Sequence, residues 1–152
     1  MRDRLNRDIK YREEFRPFAP VVLAEEAGHF FELPPGGARL ARFMSGVFPV
    51  RSEWRERLAA VTHVDGTARV QTLTRDFAPR LYDLIAAYGR LSGVPVLLNT
   101  SLNLAGEPIV CSVQEGYSTF RRSGIDILIA GNTRVRRRVR ETASIMLTEA
   151  VS

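Results

Sequence analysis

VPVLLNTSLN, residues 94–103, is an apolar run that ends in hydroxyl and amide side chains. The apolar half predicts a buried β-strand. In open α/β sheets ligands bind beyond the carboxyl ends of strands, and Asn99, Ser101 and Asn103 occupy that position here. Their side chains are able to hydrogen-bond a phosphate or a carbonyl group. An Asx or Ser turn that only caps the strand uses the same residue types, and spacing alone leaves both interpretations open.

Helical and strand patterns alternate on both sides of this stretch. Apolar residues at helical spacing predict a helix over residues 79–91, with Pro79 at its start and Gly93 just past its end. The other predicted elements are a short helix in residues 1–9, strands at 21–23, 44–51, 68–74 and 125–130 (the last one buried), and a helix at 113–122. The alternation across residues 68–130 predicts a single α/β domain with partly parallel strands.

The composition excludes several classes of protein. The 152 residues, 45% hydrophobic and 26% charged, are typical of one globular domain. Cys111 is the only cysteine, which excludes an intrachain disulfide and a cysteine-based zinc site. No apolar run approaches the ~20 residues that cross a bilayer, and the N-terminus lacks the apolar stretch of a secretory signal. We therefore expect a cytoplasmic protein that does not insert into a membrane.

Arginine dominates the basic residues. The net charge is +5 and Lys10 is the only lysine, a balance that suggests an anionic partner. Five arginines within residues 134–140 are interpreted as a charged strand edge. A nucleic-acid tail is the alternative, which is less favoured because no aromatic side chain among them could stack on bases. We expect a domain over residues 1–138 and a tail over residues 139–152.

A second cluster of cations lies near the N-terminus. If residues 10–16 were extended, Lys10, Arg12 and Arg16 would lie on one side, since side chains alternate with a period of two. An anionic ligand would explain this concentration of charge. Neutralisation by Glu13 and Glu14 in surface ion pairs is the commoner alternative.

Residues 62–72 combine polar groups with a predicted turn and strand. Arg69 could face either solvent or a pocket. His63 and Asp65 are two positions apart, but a pair without a third ligand is weak evidence for a metal, and a structural histidine near a turn is the preferred interpretation. No glycine-rich phosphate loop occurs in the sequence.

Four blocks of sequence, read in order, resemble one protein family. They are KYREEFRPFAP at 10–20, THVDGTARVQT at 62–72, VPVLLNTSLN at 94–103 and GEPIV at 106–110. Together they resemble the C-terminal domain of the O-carbamoyltransferases, which modify nodulation factors and antibiotics. ILIAGN at 127–132 resembles the last strand of that family, so the similarity extends over residues 1–135.

The resemblance implies a fold and an activity. The implied fold is YrdC-like, a twisted mixed sheet flanked by helices. The implied activity is formation of carbamoyl-adenylate from carbamoyl phosphate and ATP, with magnesium. An N-terminal domain, in the same chain or as a separate chain, then transfers the carbamoyl group to an acceptor hydroxyl. We expect the 152 residues to lack that domain and to need it for full activity; a homodimer is a further assembly that we consider.

The matching motifs also imply site residues. Lys10, Arg16 and Arg69 would be the catalytic cations that bind phosphate groups. The substrate-binding residues would be Arg12, Asn99, Thr100, Ser101 and Asn103. Two alternatives remain: a threonylcarbamoyl-adenylate synthase-like enzyme, suggested by the shared fold and the Ser-x-Asn turn, and a non-catalytic nucleotide- or RNA-binding remnant. The block HVDGTAR at 63–69 favours the carbamoyltransferase.

Overall fold

A computed structural model describes residues 1–137, which are organised around a three-stranded sheet. The helices are α1 (Arg2–Leu5), α2 (Ala27–Phe30), α3 (Gly37–Ala41), α4 (Pro79–Ser92) and α5 (Val113–Arg122). The strands are β1 (Ala19–Leu23), β2 (Phe48–Pro49), β3 (Thr67–Ala68), β4 (Gln71–Leu73), β5 (Val96–Asn99), β6 (Ile127–Ala130) and β7 (Thr133–Arg136). A π-helical turn, Asn6–Lys10, continues α1, and a 3₁₀ turn spans Ser52–Trp54. The predicted tail at 139–152 lies outside the described residues.

The central sheet has the order β4-β1-β5 and is mixed. β1 runs parallel to β4, with Val21 opposite Gln71. β1 runs antiparallel to β5, with Ala19 opposite Asn99. The predicted α/β class with partly parallel strands is therefore confirmed. The same register brings the beginnings of β1 and β4 and the end of β5 together at one end of the sheet.

Successive side chains of β1 point to opposite faces of the sheet and enter two apolar clusters. Val22 packs into the larger cluster, which contains several phenylalanines. Val21 and Leu23 pack on the other face against Leu73 and Ile85. Because Ile85 belongs to α4, this helix covers one face of the sheet and the larger cluster covers the other.

The helix α4 closely follows its sequence signals. Pro79 occupies the first turn, where its missing N–H costs nothing. Gly93 follows the last helical residue with a left-handed φ of 72°, which glycine adopts without a steric penalty. None of the helices within residues 1–137 combines the length and the apolarity that crossing a membrane requires.

Two predicted strands are interrupted. Of residues 44–51, only β2 forms a regular strand, and it pairs antiparallel with β3 in a separate two-stranded sheet. The predicted strand at 68–74 breaks at Arg69 and Val70, because the chain passes there from the antiparallel pair with β2 to the parallel pair with β1. The break leaves Arg69 just before the first residue of β4, at the end of the central sheet.

Two other strands are less buried than predicted. The sequence predicted a buried strand at 125–130, and this prediction is wrong because β6 pairs with β7 in a separate hairpin. Ile127 and Ile129 of β6 are 47% and 63% exposed. β5 lies at an edge of its sheet, so only Val96 among its residues is buried.

Candidate functional site

A cleft of about 440 Å³ opens at the end of the sheet where β1 and β4 begin and β5 ends. Its volume lies within the range of ~300–1,000 Å³ that is usual for small-molecule sites. Its lining residues are Arg12, Arg16, Pro17, Phe18, Ala19, Met44, Arg69, Asn99, Thr100, Ser101 and Ile109. The fold thus brings most of the predicted site residues together, from three separate stretches of the chain.

The three arginines of the cleft, Arg12, Arg16 and Arg69, form no ion pair with any carboxylate in the described residues 1–137. Arg16 and Arg69 are exposed and Arg12 is half-buried. Burial, and after it the charge of Arg16, lowers the pKa of Arg12 from its ordinary value. The charge of Glu13 opposes this shift of Arg12 without forming an ion pair. Like charges that line one cleft without ion-pair partners favour an anion between them. The structure therefore does not show the alternative in which Arg12 and Arg16 form surface ion pairs with Glu13 and Glu14.

The loop that carries Arg12 and Arg16 is held by Asn6. The Nδ2 atom of this fully buried residue donates to the carbonyl oxygens of Glu14 (3.0 Å) and Arg16 (2.8 Å). Its Oδ1 atom accepts a hydrogen bond from Nε of Arg12 at 2.7 Å. The guanidinium of Arg12 also lies 4.5 Å from the centre of the Phe18 ring, a cation–π contact. Arg12 is therefore ordered before any ligand binds.

Asn6 was missed in the sequence analysis. It lies at the start of a π-helical turn, in a stretch of charged residues that looks solvent-exposed. The only local hint is that asparagine competes with the helix backbone for hydrogen bonds and is unfavourable inside helices. Its three partners lie six to ten positions away along the chain, beyond the reach of helical spacing rules.

The polar corner at the end of β5, residues 99–103, contributes Asn99, Thr100 and Ser101 to the lining of the cleft. Nδ2 of Asn99 donates to Oε1 of Gln71 at 2.6 Å and so connects β5 to β4. Oγ of Ser101 donates to Oδ1 of Asn103 at 2.6 Å, and Nδ2 of Asn103 donates to the carbonyl of Glu107 at 2.8 Å. The residues that form the turn therefore include residues that line the cleft, and the two interpretations of this motif are compatible.

Lys10 lies behind this corner and does not line the cleft. It is 7% exposed, and its Nζ donates to the carbonyl of Ser101 and to both the carbonyl (3.1 Å) and Oδ1 (2.9 Å) of Asn103. The condition under which Lys10, Arg12 and Arg16 would share one side is not met, because Lys10 ends the π-helical turn and Tyr11 has a left-handed φ of 47°. Burial, and then the charge of Arg12, lowers the pKa of Lys10. Lys10 and Asn103 thus lie apart from the cleft lining.

The family model described as carbamoyltransferase C-terminus matches residues 1–137. The chain belongs to this carbamoyltransferase family. The resemblance inferred from the four sequence blocks is confirmed.

Relatives of this carbamoyltransferase domain include proteins of nodulation and antibiotic synthesis. Nodulation protein NolNO of Sinorhizobium fredii is 47% identical over 137 residues, which cover 90% of this chain and 20% of the relative. The 3'-hydroxymethylcephem-O-carbamoyltransferase of Amycolatopsis lactamdurans is 38% identical over 132 residues, 87% of this chain and 24% of that enzyme. The chain thus spans about a fifth to a quarter of the length of these relatives.

In this carbamoyltransferase domain His63 and Asp65 belong to a turn. Nδ1 of His63 lies 3.0 Å from Oγ1 of Thr67, and Oδ1 of Asp65 accepts from the backbone N–H (2.9 Å) and the hydroxyl (2.6 Å) of Thr67. Among the residues that the structure describes, no three His, Cys, Asp or Glu side chains come together in a group that could hold a metal ion. The arrangement of His63 agrees with the structural interpretation.

Proposed function

We propose that this domain forms carbamoyl-adenylate from carbamoyl phosphate and ATP, within an O-carbamoyltransferase whose remaining chain transfers the carbamoyl group to an acceptor hydroxyl. One observation carries the proposal. Arg12, Arg16 and Arg69, without carboxylate partners within residues 1–137, converge on one cleft beside a hydroxyl- and amide-bearing corner. Both proposed substrates carry phosphate groups, and one relative is named as an O-carbamoyltransferase.

The proposed reaction needs positioning and charge stabilisation. Water cleaves carbamoyl phosphate to carbamate and inorganic phosphate, and a carbamate oxygen then attacks the α-phosphorus of ATP. The bond between the α-phosphorus and the oxygen that links it to the β-phosphorus breaks, and pyrophosphate leaves with the bonding electron pair. Preorganised cations stabilise the charge that spreads over the phosphoryl oxygens, and no covalent protein intermediate is required.

The side chains of the cleft suit these tasks. The planar guanidinium groups of Arg16 and Arg69 are exposed and present paired N–H donors, which match phosphate oxygens. Arg12 is held in place by Asn6 and adds a fixed positive charge. Thr100 and Asn99 also line the cleft, where they would orient the carbamoyl group. Lys10 is close enough to the corner to act through it.

Magnesium enters this proposal as part of the nucleotide substrate. The lining of the cleft contains no carboxylate within the described part of the chain, so its residues do not fit a magnesium site held by the protein. They would act on a nucleotide that brings its own cation. Since both substrates are intracellular metabolites, the proposal locates the domain in the cytoplasm.

Release of pyrophosphate tests the proposal. The full 152-residue protein is incubated with magnesium, ATP and either carbamoyl phosphate or threonine plus bicarbonate. Release with carbamoyl phosphate alone supports the proposal, whereas release that requires threonine and bicarbonate indicates a threonylcarbamoyl-adenylate synthase. Nucleotide binding without release in either arm indicates a non-catalytic binding module. Carbamoylation of an acceptor is expected only when the transfer domain is supplied, in the same chain or separately.

Arginine variants locate the activity in the cleft. Arg16→Ala and Arg69→Ala should each lower pyrophosphate release about tenfold or more, because each removes a charged donor to phosphate. Arg80→Ala is the matched control, since Arg80 is exposed on α4 and does not line the cleft. Wild-type rates in both cleft variants would remove these arginines from the site.

A further inference from the structure

We infer that the outer face of α4 is a self-association surface, on which α4 of a second copy of this chain packs antiparallel. The surface, called here the α4 stripe, consists of Leu81, Leu84, Tyr88 and Leu91. None of these residues lines the cleft, so the inference does not depend on the proposed function.

The helix α4 carries two apolar faces. The first lies in the core, where Ile85 is fully buried and Tyr82 and Ala86 are partly buried beside it. The second is the α4 stripe, whose side chains are, in chain order, 40%, 56%, 43% and 89% exposed. A helix that only covers a sheet needs a single apolar face. The α4 stripe therefore indicates a partner that the described residues 1–137 do not supply.

The spacing of the α4 stripe favours a helix as that partner. Its members are three, four and three positions apart, which is the alternation found along the seam between two packed helices. At 3.6 residues per turn they fall within an arc of about 80° and form a line about 15 Å long. A narrow, straight line of this kind suits the side of another helix better than the broad face of a sheet.

The order of the spacings points to a second copy of α4. Three, four, three reads the same in both directions, so a two-fold axis near the middle of the helix sets Leu81 opposite Leu91 of the second copy and Leu84 opposite Tyr88 of the second copy. An interface between identical subunits requires such self-complementarity, whereas a seam for a different helix does not. The antiparallel direction is favoured because the positive end of each helix dipole then meets the negative end of the other.

The area of the α4 stripe determines the strength of the association. With the exposed fractions above, the four side chains offer on the order of 400 Å² per chain. A standard stable interface buries about 800 Å² on each side. The dimer is therefore expected to be weak, with a Kd on the order of 100 µM.

Sedimentation equilibrium of the full 152-residue protein tests the inference. Each chain carries a net charge of +5, so the buffer contains salt that screens the repulsion between two chains. The wild-type protein should be mainly monomeric at about 10 µM and mainly dimeric at about 1 mM, as the expected Kd requires. Leu84→Glu should weaken the association at least tenfold, because it places two carboxylates in an apolar seam.

Two variants accompany Leu84→Glu in this experiment. Ile129→Glu is the matched control, since Ile129 is an equally large and 63% exposed apolar residue of β6, and its association should equal that of the wild type. Leu91→Glu repeats the test at the most exposed position of the α4 stripe, in case Leu84→Glu does not fold. Circular dichroism at 10 µM should give all variants the wild-type Tm, because each replaced side chain lies on the surface.

Disulfide cross-linking tests the direction of the two helices. Cys111, which is exposed, is first replaced by serine. Leu81→Cys and Leu91→Cys are then prepared separately on this background and oxidised, alone and as a mixture. In the antiparallel pair, the two copies of residue 81 lie about 15 Å apart, too far for a disulfide, whereas residue 81 of one chain lies opposite residue 91 of the other. Only the mixture should therefore give a cross-linked dimer.

Four results would overturn the inference. A wild-type protein that stays monomeric at 1 mM would leave the α4 stripe to another polypeptide, such as the remaining part of a longer carbamoyltransferase. Dissociation by Ile129→Glu would locate the contact on the hairpin of β6 and β7. A dimer that persists in both Leu84→Glu and Leu91→Glu would exclude the α4 stripe. Efficient cross-linking of Leu81→Cys alone would show a parallel arrangement.

Discussion

Replacement of Asn6 tests whether one buried amide supports the anion cleft. Its side chain makes three hydrogen bonds in a fully buried position. At about 1 kcal/mol for each bond, Asn6→Ala should lower the free energy of unfolding by about 3 kcal/mol. For a domain of this size, that corresponds to a fall in Tm of about 10 °C. Thermal unfolding followed by circular dichroism measures it.

Asn6→Asp distinguishes the donor role of the Asn6 amide from its acceptor role. Aspartate keeps an acceptor for Arg12 but offers no donor to the carbonyls of Glu14 and Arg16, and its charge would face their oxygens. We expect it to be at least as destabilising as alanine. Both variants should also weaken pyrophosphate binding, since they release the loop that carries the arginines. Asn132→Ala, at an exposed turn between β6 and β7, is the control. Wild-type Tm and affinity in Asn6→Asp would refute the reasoning.

Two further predictions concern packing and pH. An alanine Cβ at Gly89 would lie 2.7 Å from Cβ of Pro95, so Gly89→Ala should lower Tm, whereas Gly28→Ala, with no atom within 4 Å of the added carbon, should leave Tm unchanged or raise it. A hydrogen bond from Arg122 lowers the pKa of Glu107, so this pair stabilises the fold above the unfolded pKa of about 4.3 and loses its contribution as pH falls through the lower folded value. Urea unfolding should show Glu107→Gln less stable than wild type at pH 7 but equal to it at strongly acidic pH, and an equal difference at both would contradict the assignment.

Local signals account for the helices that were predicted correctly. Pro79 and Gly93 bound α4 because each satisfies a backbone requirement at its own position, whatever the rest of the chain does. The spacing of apolar residues then orients the helix, and Ile85 enters the core. These effects depend on neighbours within a few residues, so the sequence displays them directly.

Partners distant in sequence account for the errors. The apolar content of residues 125–130 correctly predicted a strand, but burial depends on what packs against it, and β6 pairs only with β7 within residues 1–137. Lys10 was recognised as an unusual cation, but its direction was considered only for the case of an extended backbone. The π-helical turn and the left-handed Tyr11 turned it towards Asn103 instead.

The sequence by itself determined the α/β class, the family, and the residue types of an anion site, because periodicity, helix boundaries and ordered motifs are written along the chain. Only the tertiary structure decided which of those residues share the cleft. Arg69 lines the same cleft as Arg12 and Ser101 because β1 pairs in parallel with β4 and antiparallel with β5. The beginnings of β1 and β4 and the end of β5 therefore lie at the same end of the sheet. Such a register depends on contacts between segments tens of residues apart, and no local pattern encodes it.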